Sequence, residues 1–241
     1  MADHTTALDA ITLLAPLDGA ARARLAGQCA WREVAQGETI FDRDSGGHDV
    51  LFITRGAVGV FNYSRTGHEV AFATLSAGDY LGELSAIDGG ARSAAIVALT
   101  DCRLAMLPRA AFRRLLADHP DMAWSVLRRL AGMVRALDDR VMDLTTLSAL
   151  QRVYRQIQHM TQEAAGNAAG NTDGDGVRIE RLPAHARIAS LAGTTRETVA
   201  RALSHLTATG IASRAGRGLV IAEPRALQSL IDGMSAHDHA A

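Results

Sequence analysis

The chain has 241 residues, 48% of them hydrophobic, with 25 basic and 26 acidic side chains and a formal net charge of -1. That apolar content suits two modest domains with packed cores and excludes a disordered or fibrous chain. No run of about 18 apolar residues is present to span a bilayer, Met1 to Ala10 lacks the pattern of a secretory leader, and Cys29 and Cys102 are too few for a disulfide framework or an iron-sulfur cluster, so the expected setting is the cytoplasm, away from membranes.

Ala7 to Cys29 reads as one or two short helices interrupted at Pro16. From Ala30 to Leu107, short β-type runs alternate with glycine-bearing turns. The runs are Glu38 to Phe41, Val50 to Ile53, Ala57 to Phe61, Val70 to Ala73 and Ala95 to Leu99. The turns fall at Gln36-Gly37, Ser45-Gly46-Gly47, Arg55-Gly56, Thr66-Gly67 and Ala77-Gly78-Asp79. Strands this short and evenly spaced predict a β-barrel or sandwich. A helix is expected over Arg109 to Ala117.

From Pro120 the period changes. Leu127, Leu130, Val134, Leu137, Val141 and Leu144 recur at alternating steps of three and four, and Ser148 and Gln151 continue the spacing with polar residues. About three heptads with charged flanks, among them Arg128, Arg129 and Asp138, predict a dimerising seam, an amphipathic helix lying on its own domain being the alternative. The seam fades near Leu147 to Arg152, the expected hinge. A further helix runs to about Glu163, and Ala164 to Gly176, rich in Ala, Gly, Asn and Asp, reads as a mobile loop.

All 25 basic residues are arginine, and they are unevenly spread. Residues 1–118 carry 11 Arg against 14 Asp and Glu, whereas residues 177–225 carry 8 Arg against 3 Glu. That bias alone is weak support for nucleic-acid binding. Stronger is the pattern over Ala186 to Ile221: a helix over Ala186 to Leu191, a turn at Ala192-Gly193-Thr194, and a second helix over Thr195 to Thr209. Thr194 with Glu197 forms a capping box, and Val199, Ala202, Leu203 and Leu206 supply the inward face, leaving Arg196, Glu197, Ala200 and Arg201 outward. Arginine can bond guanine O6 and N7 together, and glutamate can accept from cytosine N4, so this face suits G-containing DNA half-sites. Thr195 and Thr198 are expected on phosphates. Ile211 to Ile221 reads as a wing hairpin whose Arg214 and Arg217 reach the DNA backbone.

Two strings carry a resemblance. Gly82-Glu83-Leu84-Ser85, six residues, then Arg92-Ser93-Ala94 resembles the phosphate-binding cassette of cyclic-nucleotide domains, with Gly37, Gly56 and Gly78-Asp79 matching that family's turns. Arg196-Glu197-Thr198-Val199-Ala200-Arg201 is similar to the recognition helix of the cyclic-AMP receptor and fumarate-nitrate regulator (Crp/Fnr) family of transcription factors. The resemblance implies an α+β chain: a cyclic-nucleotide-binding β-barrel of jelly-roll type over residues 1–118, a dimerisation helix over 119–151 and a winged helix-turn-helix over 152–241. It implies that Arg92 faces a cyclic phosphate, with the N–H groups of Leu84 and Ser85 and the Ser93 hydroxyl as further donors. Glu83 would accept the ribose 2'-hydroxyl hydrogen bond. Alternatively, Glu83 and Arg92 pair as a salt bridge in a cassette that has lost its ligand. Where cyclic-AMP receptors use a Thr-Ser pair against adenine, this chain has Leu137 and Asp138. Asp138 could accept from an adenine amino group or from guanine, or stand as a solvated helix residue; cyclic AMP is expected first and cyclic GMP or cyclic di-GMP next.

The implied protein is a homodimer on palindromic double-stranded DNA, working with RNA polymerase, with no catalytic residues, metal site or required cofactor. A ligand-independent regulator, or a heme- or redox-sensing one on the same scaffold, is the alternative. An enzyme with a fused sensor domain is disfavoured, since the chain has no spare domain and no catalytic constellation.

Overall fold

The computed structural model describes residues 6–63, 69–167 and 176–233, and the chain divides into two compact units, Met1–Arg135 and Ala136–Ala241. The first opens with a single 3-10 turn and α1 (Gly19–Ala26), which Asp18 caps by accepting from Ala21 N at 2.7 Å. Strands β1 (Ala30–Val34), β2 (Thr39–Phe41), β3 (Val50–Arg55), β4 (Ala57–Tyr63), β5 (Glu69–Ser76) and β6 (Tyr80–Leu81) follow, then helix α2 (Glu83–Asp88), β7 (Ala95–Ala98), β8 (Cys102–Leu107), α3 (Arg109–Asp118) and α4 (Pro120–Thr146). They build two antiparallel four-stranded sheets, β1-β8-β3-β6 and β2-β7-β4-β5. β1, β6 and β8 were not among the runs read from the sequence, and the Thr66-Gly67 turn lies outside the described residues.

β3 explains how the layers stack. Its run Val50-Leu51-Phe52-Ile53 is buried throughout, so the strand is covered on both faces. Leu51 and Ile53 join Val58, Ile96 and Leu104 between the two sheets, while Val50 and Phe52 face a second core with Leu14, Phe112, Met122 and Val126 from the helices. The alternation follows from the two-residue period of a strand. At Gly56, φ is +88°, and a Cβ would lie 2.7 Å from Cys102 Sγ, so the β3-β4 turn accepts only glycine.

α4 has two apolar faces. Met122 and Val126 are buried in the first unit's core and Leu130 packs against it, whereas Leu127, Val134, Leu137, Val141 and Leu144 are 49 to 59% exposed. α4 stops where expected, just before Leu147. α5 (Ala149–Asn167) then begins from a reciprocal cap in which Ser148 N donates to Gln151 Oε1 (2.9 Å) and Gln151 N donates to Ser148 Oγ (3.3 Å). The expected loop from Ala164 is therefore corrected. Ala is a strong helix former, and α5 continues to Asn167.

In the second unit, β9 (Val177–Ile179), α6 (His185–Ala192), α7 (Arg196–Ala208), β10 (Ala212–Ala215), β11 (Gly218–Ile221) and α8 (Pro224–Ile231) complete the chain. β9 extends the expected hairpin to a three-stranded sheet, β10-β11-β9. Val153 and Ile157 of α5 share a core with Ile188, Val199, Leu203, Leu206, Leu219 and Leu227. Among the described residues, no helix is long and apolar enough to cross a membrane.

Candidate functional site

In the first unit, the cassette string forms the β6-α2 turn. Gly82 adopts φ +87°, and a Cβ there would strike the Arg92 guanidinium and come within 2.8 Å of Asp49 O. This turn can therefore be built only with glycine. It starts α2 and directs Ser85 toward Arg92. Arg92 is 5% exposed. Its Nη1 donates to Ser85 Oγ (2.8 Å) and Gly82 O (3.3 Å), and its Nη2 donates to Asp49 O (2.9 Å). The Phe41 ring lies 4.3 Å beneath the guanidinium, while Nε is buried with no partner. Burial pushes the Arg92 pKa down, and Asp49 and Glu83 oppose that shift. A buried guanidinium stays charged because its ordinary pKa is so high, which gives this site a fixed cation.

Glu83 is also buried, at 4% exposure. Its ion pair is with Arg129 of α4, whose Nε lies 4.0 Å from Oε1, and no pair within 4.0 Å joins it to Arg92 among the described residues. Arg129 also donates from Nη2 to Tyr80 O (2.9 Å) and stacks on the Tyr80 ring at 4.2 Å. Burial pushes the Tyr80 hydroxyl up to about 12, with Arg129 pulling against it. The site thus holds a carboxylate between two arginines, a set able to bind a group that combines an anion with a hydroxyl. Leu84 is half-buried and Ser93 exposed. Phe41, Asp49, Tyr80 and Arg129 are the additions to the expected set. Phe41 and Arg129 had been read as a strand residue and a polar seam flank, and nothing local in the sequence links them to Arg92 or Glu83. Leu137 and Asp138 belong to the second unit, where both are exposed on α4.

In the second unit, α6 and α7 form the helix-turn-helix. Gly193, at φ +58°, ends α6, and Thr194 N donates back to Ala189 O (2.9 Å), which commits Thr194 to the turn. The cap of α7 is consequently Thr195, not Thr194: it is extended (φ -101°, ψ 161°) and its hydroxyl accepts from Thr198 N at 3.3 Å. The expected Thr194–Glu197 capping box is therefore not formed: with Thr195 as the cap, the third helical position is Thr198. Thr198 needs a second correction. It is buried rather than available to phosphate, and its hydroxyl pairs with Thr195 Oγ1 and accepts from Arg201 Nη2, each at 3.3 Å.

Arg196, Glu197, Ala200 and Arg201 are exposed together on α7, while Val199, Ala202, Leu203 and Leu206 are buried behind them. Its own backbone N–H and the Thr195 hydroxyl hold the Glu197 carboxyl below the usual range. The side chain is therefore an acceptor at neutral pH. Arg214 on β10 and Arg217 in the β10-β11 turn are exposed. The outward set offers bidentate donors, a lone acceptor and flanking cations, the chemistry that reads base edges and grips phosphates in the major groove.

Comparison with known proteins identifies the two domains in which these residues lie. Residues 31–119 match the family model of the cyclic nucleotide-binding domain, and residues 151–230 that of the Crp-like helix-turn-helix domain. The cyclic AMP receptor protein of Thermus thermophilus is 30% identical over 201 residues, covering 83% of this chain and 87% of that one. The CRP-like cAMP-activated global transcriptional regulator of Mycobacterium tuberculosis is 28% identical over 192 residues, covering 80% and 84%. Among solved structures, FixK2 of Bradyrhizobium japonicum superimposes with a TM-score of 0.69 at 23% identity, covering 84% of this chain and 96% of that one.

Proposed function

Because the chain belongs to the Crp/Fnr family of transcriptional regulators, we propose that it is a homodimeric DNA-binding regulator whose operator affinity is set by a cyclic nucleotide held in the barrel. Cyclic AMP is the first effector to test, with cyclic GMP and cyclic di-GMP next. The observation that carries this is Arg92: a buried guanidinium with a hydroxyl partner already oriented at the start of α2, which is the preparation a desolvated cyclic phosphate requires. Glu83 then takes a ribose hydroxyl, and the N–H groups of Leu84 and Ser85 and the Ser93 hydroxyl complete the phosphate site. Residues 1–118 act as the effector domain, 119–151 as the dimerisation helix and 152–241 as the DNA-binding domain.

The exposed stripe from Leu127 to Leu144 supports pairing of two α4 helices, since isolated surface residues seldom repeat at heptad spacing. Two α7 helices then meet a palindrome through Arg196, Glu197 and Arg201, with Thr195, Arg214 and Arg217 on the backbone. RNA polymerase is the further partner of such a regulator, and the cytoplasm its setting. One observation favours a second reading. The Arg92 guanidinium already has three protein acceptors, as it would in a barrel that needs no ligand.

Isothermal titration against the three nucleotides, followed by operator affinity with and without saturating ligand, separates the two readings. An effector-controlled regulator shows saturable binding and a change in operator affinity of about 5- to 150-fold, equal in both directions of the cycle. No change at saturation favours the ligand-independent regulator.

A further inference from the structure

Arg152 stands at the start of α5 and sends its guanidinium outside its own helix. Nη1 donates to Leu147 O at 2.9 Å, Nε to Ala192 O at 2.9 Å and Nη2 to Gly193 O at 3.0 Å. Leu147 is the first of the two residues between α4 and α5. Ala192 and Gly193 end α6 and lead through the turn to Thr195, the cap of α7. Carbonyls in the last turn of a helix have no intrahelical donor and carry the negative end of its dipole. A planar guanidinium can serve several of them at once, which a lysine ammonium on a flexible stem cannot do in the same geometry.

Two more contacts join the same parts. Arg155 Nε lies 3.6 Å from Asp143 Oδ1 on the last turns of α4. A Cβ placed on Gly193 would come within 3.3 Å of Leu144 Cδ2, so the last leucine of the exposed stripe lies against the helix-turn-helix turn. The end of α4, the junction and the turn before α7 therefore form one connected piece, with Arg152 at its centre.

We propose that Arg152 is a positioning residue for paired half-site recognition: it registers the recognition helix against the end of α4, and so sets where two copies present their α7 helices. The inference rests on the reading of this chain as a dimer on palindromic DNA. Successive half-sites face the protein about one helical turn, or 34 to 36 Å, apart. The gain from engaging two sites at once vanishes when geometry forbids it, even though each site is intact. Without the clamp, each winged helix keeps its base-reading face but loses its fixed presentation.

The test uses the full chain, a palindromic duplex selected by the wild type from a random pool, and the same duplex with one half scrambled. Wild type binds the palindrome more tightly. In Arg152→Gln that advantage falls at least about tenfold, within the range that bivalence supplies, while affinity for the scrambled duplex stays within about twofold. Arg152→Lys keeps the charge but not the three-way clamp, and shows the same split to a smaller degree. Equal losses on both duplexes, or unfolding of both variants, overturn the proposal by making Arg152 a support of the winged helix alone. Unchanged binding to both duplexes overturns it as well. A wild type that selects no palindrome overturns the dimer reading and this inference with it.

Discussion

Arg92 in the barrel and Arg196 on the recognition helix are the same side chain in opposite surroundings. Arg92 is 5% exposed and makes three hydrogen bonds to the protein, whereas Arg196 stands in solvent at the start of α7. A buried cation carries a desolvation cost of several kcal/mol that its surroundings must offset continuously, and the Asp49 and Gly82 carbonyls, the Ser85 hydroxyl and the Phe41 ring do so here. An exposed cation costs the fold little and gains its partners only when DNA arrives. One site is fixed before its ligand comes; the other is a fixed surface carrying solvated tips.

The largest effect is expected at the buried end of that contrast. Arg92→Ala removes the cation proposed to face the phosphate and should weaken nucleotide binding by about 2 to 5 kcal/mol, about thirtyfold or more, measured by titration on folded protein. Unchanged affinity would move the nucleotide to another site and leave Arg92 a structural residue. At the exposed end, Arg196→Ala or Arg201→Ala should each cost about 1 to 3 kcal/mol on operator DNA and relax preference at one base pair, while Arg214→Ala weakens all sequences alike and lowers the salt slope by about one. Competition between selected and random DNA across a salt series distinguishes the two behaviours. If every variant loses equally on both DNAs, α7 does not read bases.

Thr198 lies between the extremes, a buried hydroxyl serving an exposed arginine. Thr198→Val keeps the shape and removes two hydrogen bonds, with Thr195 Oγ1 and from Arg201 Nη2, each worth about 0.5 to 1.5 kcal/mol. The expected loss is in the same base-pair preference as Arg201→Ala, only smaller, and a loss confined to thermal stability would refute the link. The smallest effect concerns Cys29, whose thiol burial pushes up to about 12. The thiolate is the reactive form, so Cys29 stays protonated at pH 8 and alkylation there should be far slower than for a free thiol. Rapid labelling, with altered DNA binding, would favour a redox-responsive regulator.

The parts of the two sites carried by contiguous strings were legible in the sequence. Arg196 to Arg201 lie on one helix and Gly82 to Ser85 on the turn that starts α2, while Arg92, beyond the end of α2, was joined to them by the resemblance to the cyclic-nucleotide cassette. The start of α7 was misread because Thr194 and Thr195 both suit a cap, and only the bond from Thr194 N to Ala189 O decides between them. Ser148 and Gln151 were read as fading seam positions although Ser-x-x-Gln is itself a capping signature. Arg129 on Glu83, Phe41 under Arg92 and Arg152 on Ala192 were invisible for a different reason. Each joins residues 40 or more positions apart, or pairs elements whose packing no periodicity fixes. The strands β1 and β8 escaped for another reason, since charged Arg32, Glu33 and Arg103 interrupt their apolar pattern.

The reciprocal cap at Ser148 and Gln151 also bears on how such a chain can change over generations. A helix that closes its own first turn does not depend on what precedes it for its initiation, and the hydroxyls of Thr145 and Thr146 occupy carbonyls at the end of α4 from the other side. A recombination joint just before Ser148 would therefore leave α5 able to start its own first turn. The reader of DNA could be transplanted behind a different sensor, provided the incoming stalk supplied a carboxylate where Asp143 stands and a carbonyl where Arg152 reaches for Leu147.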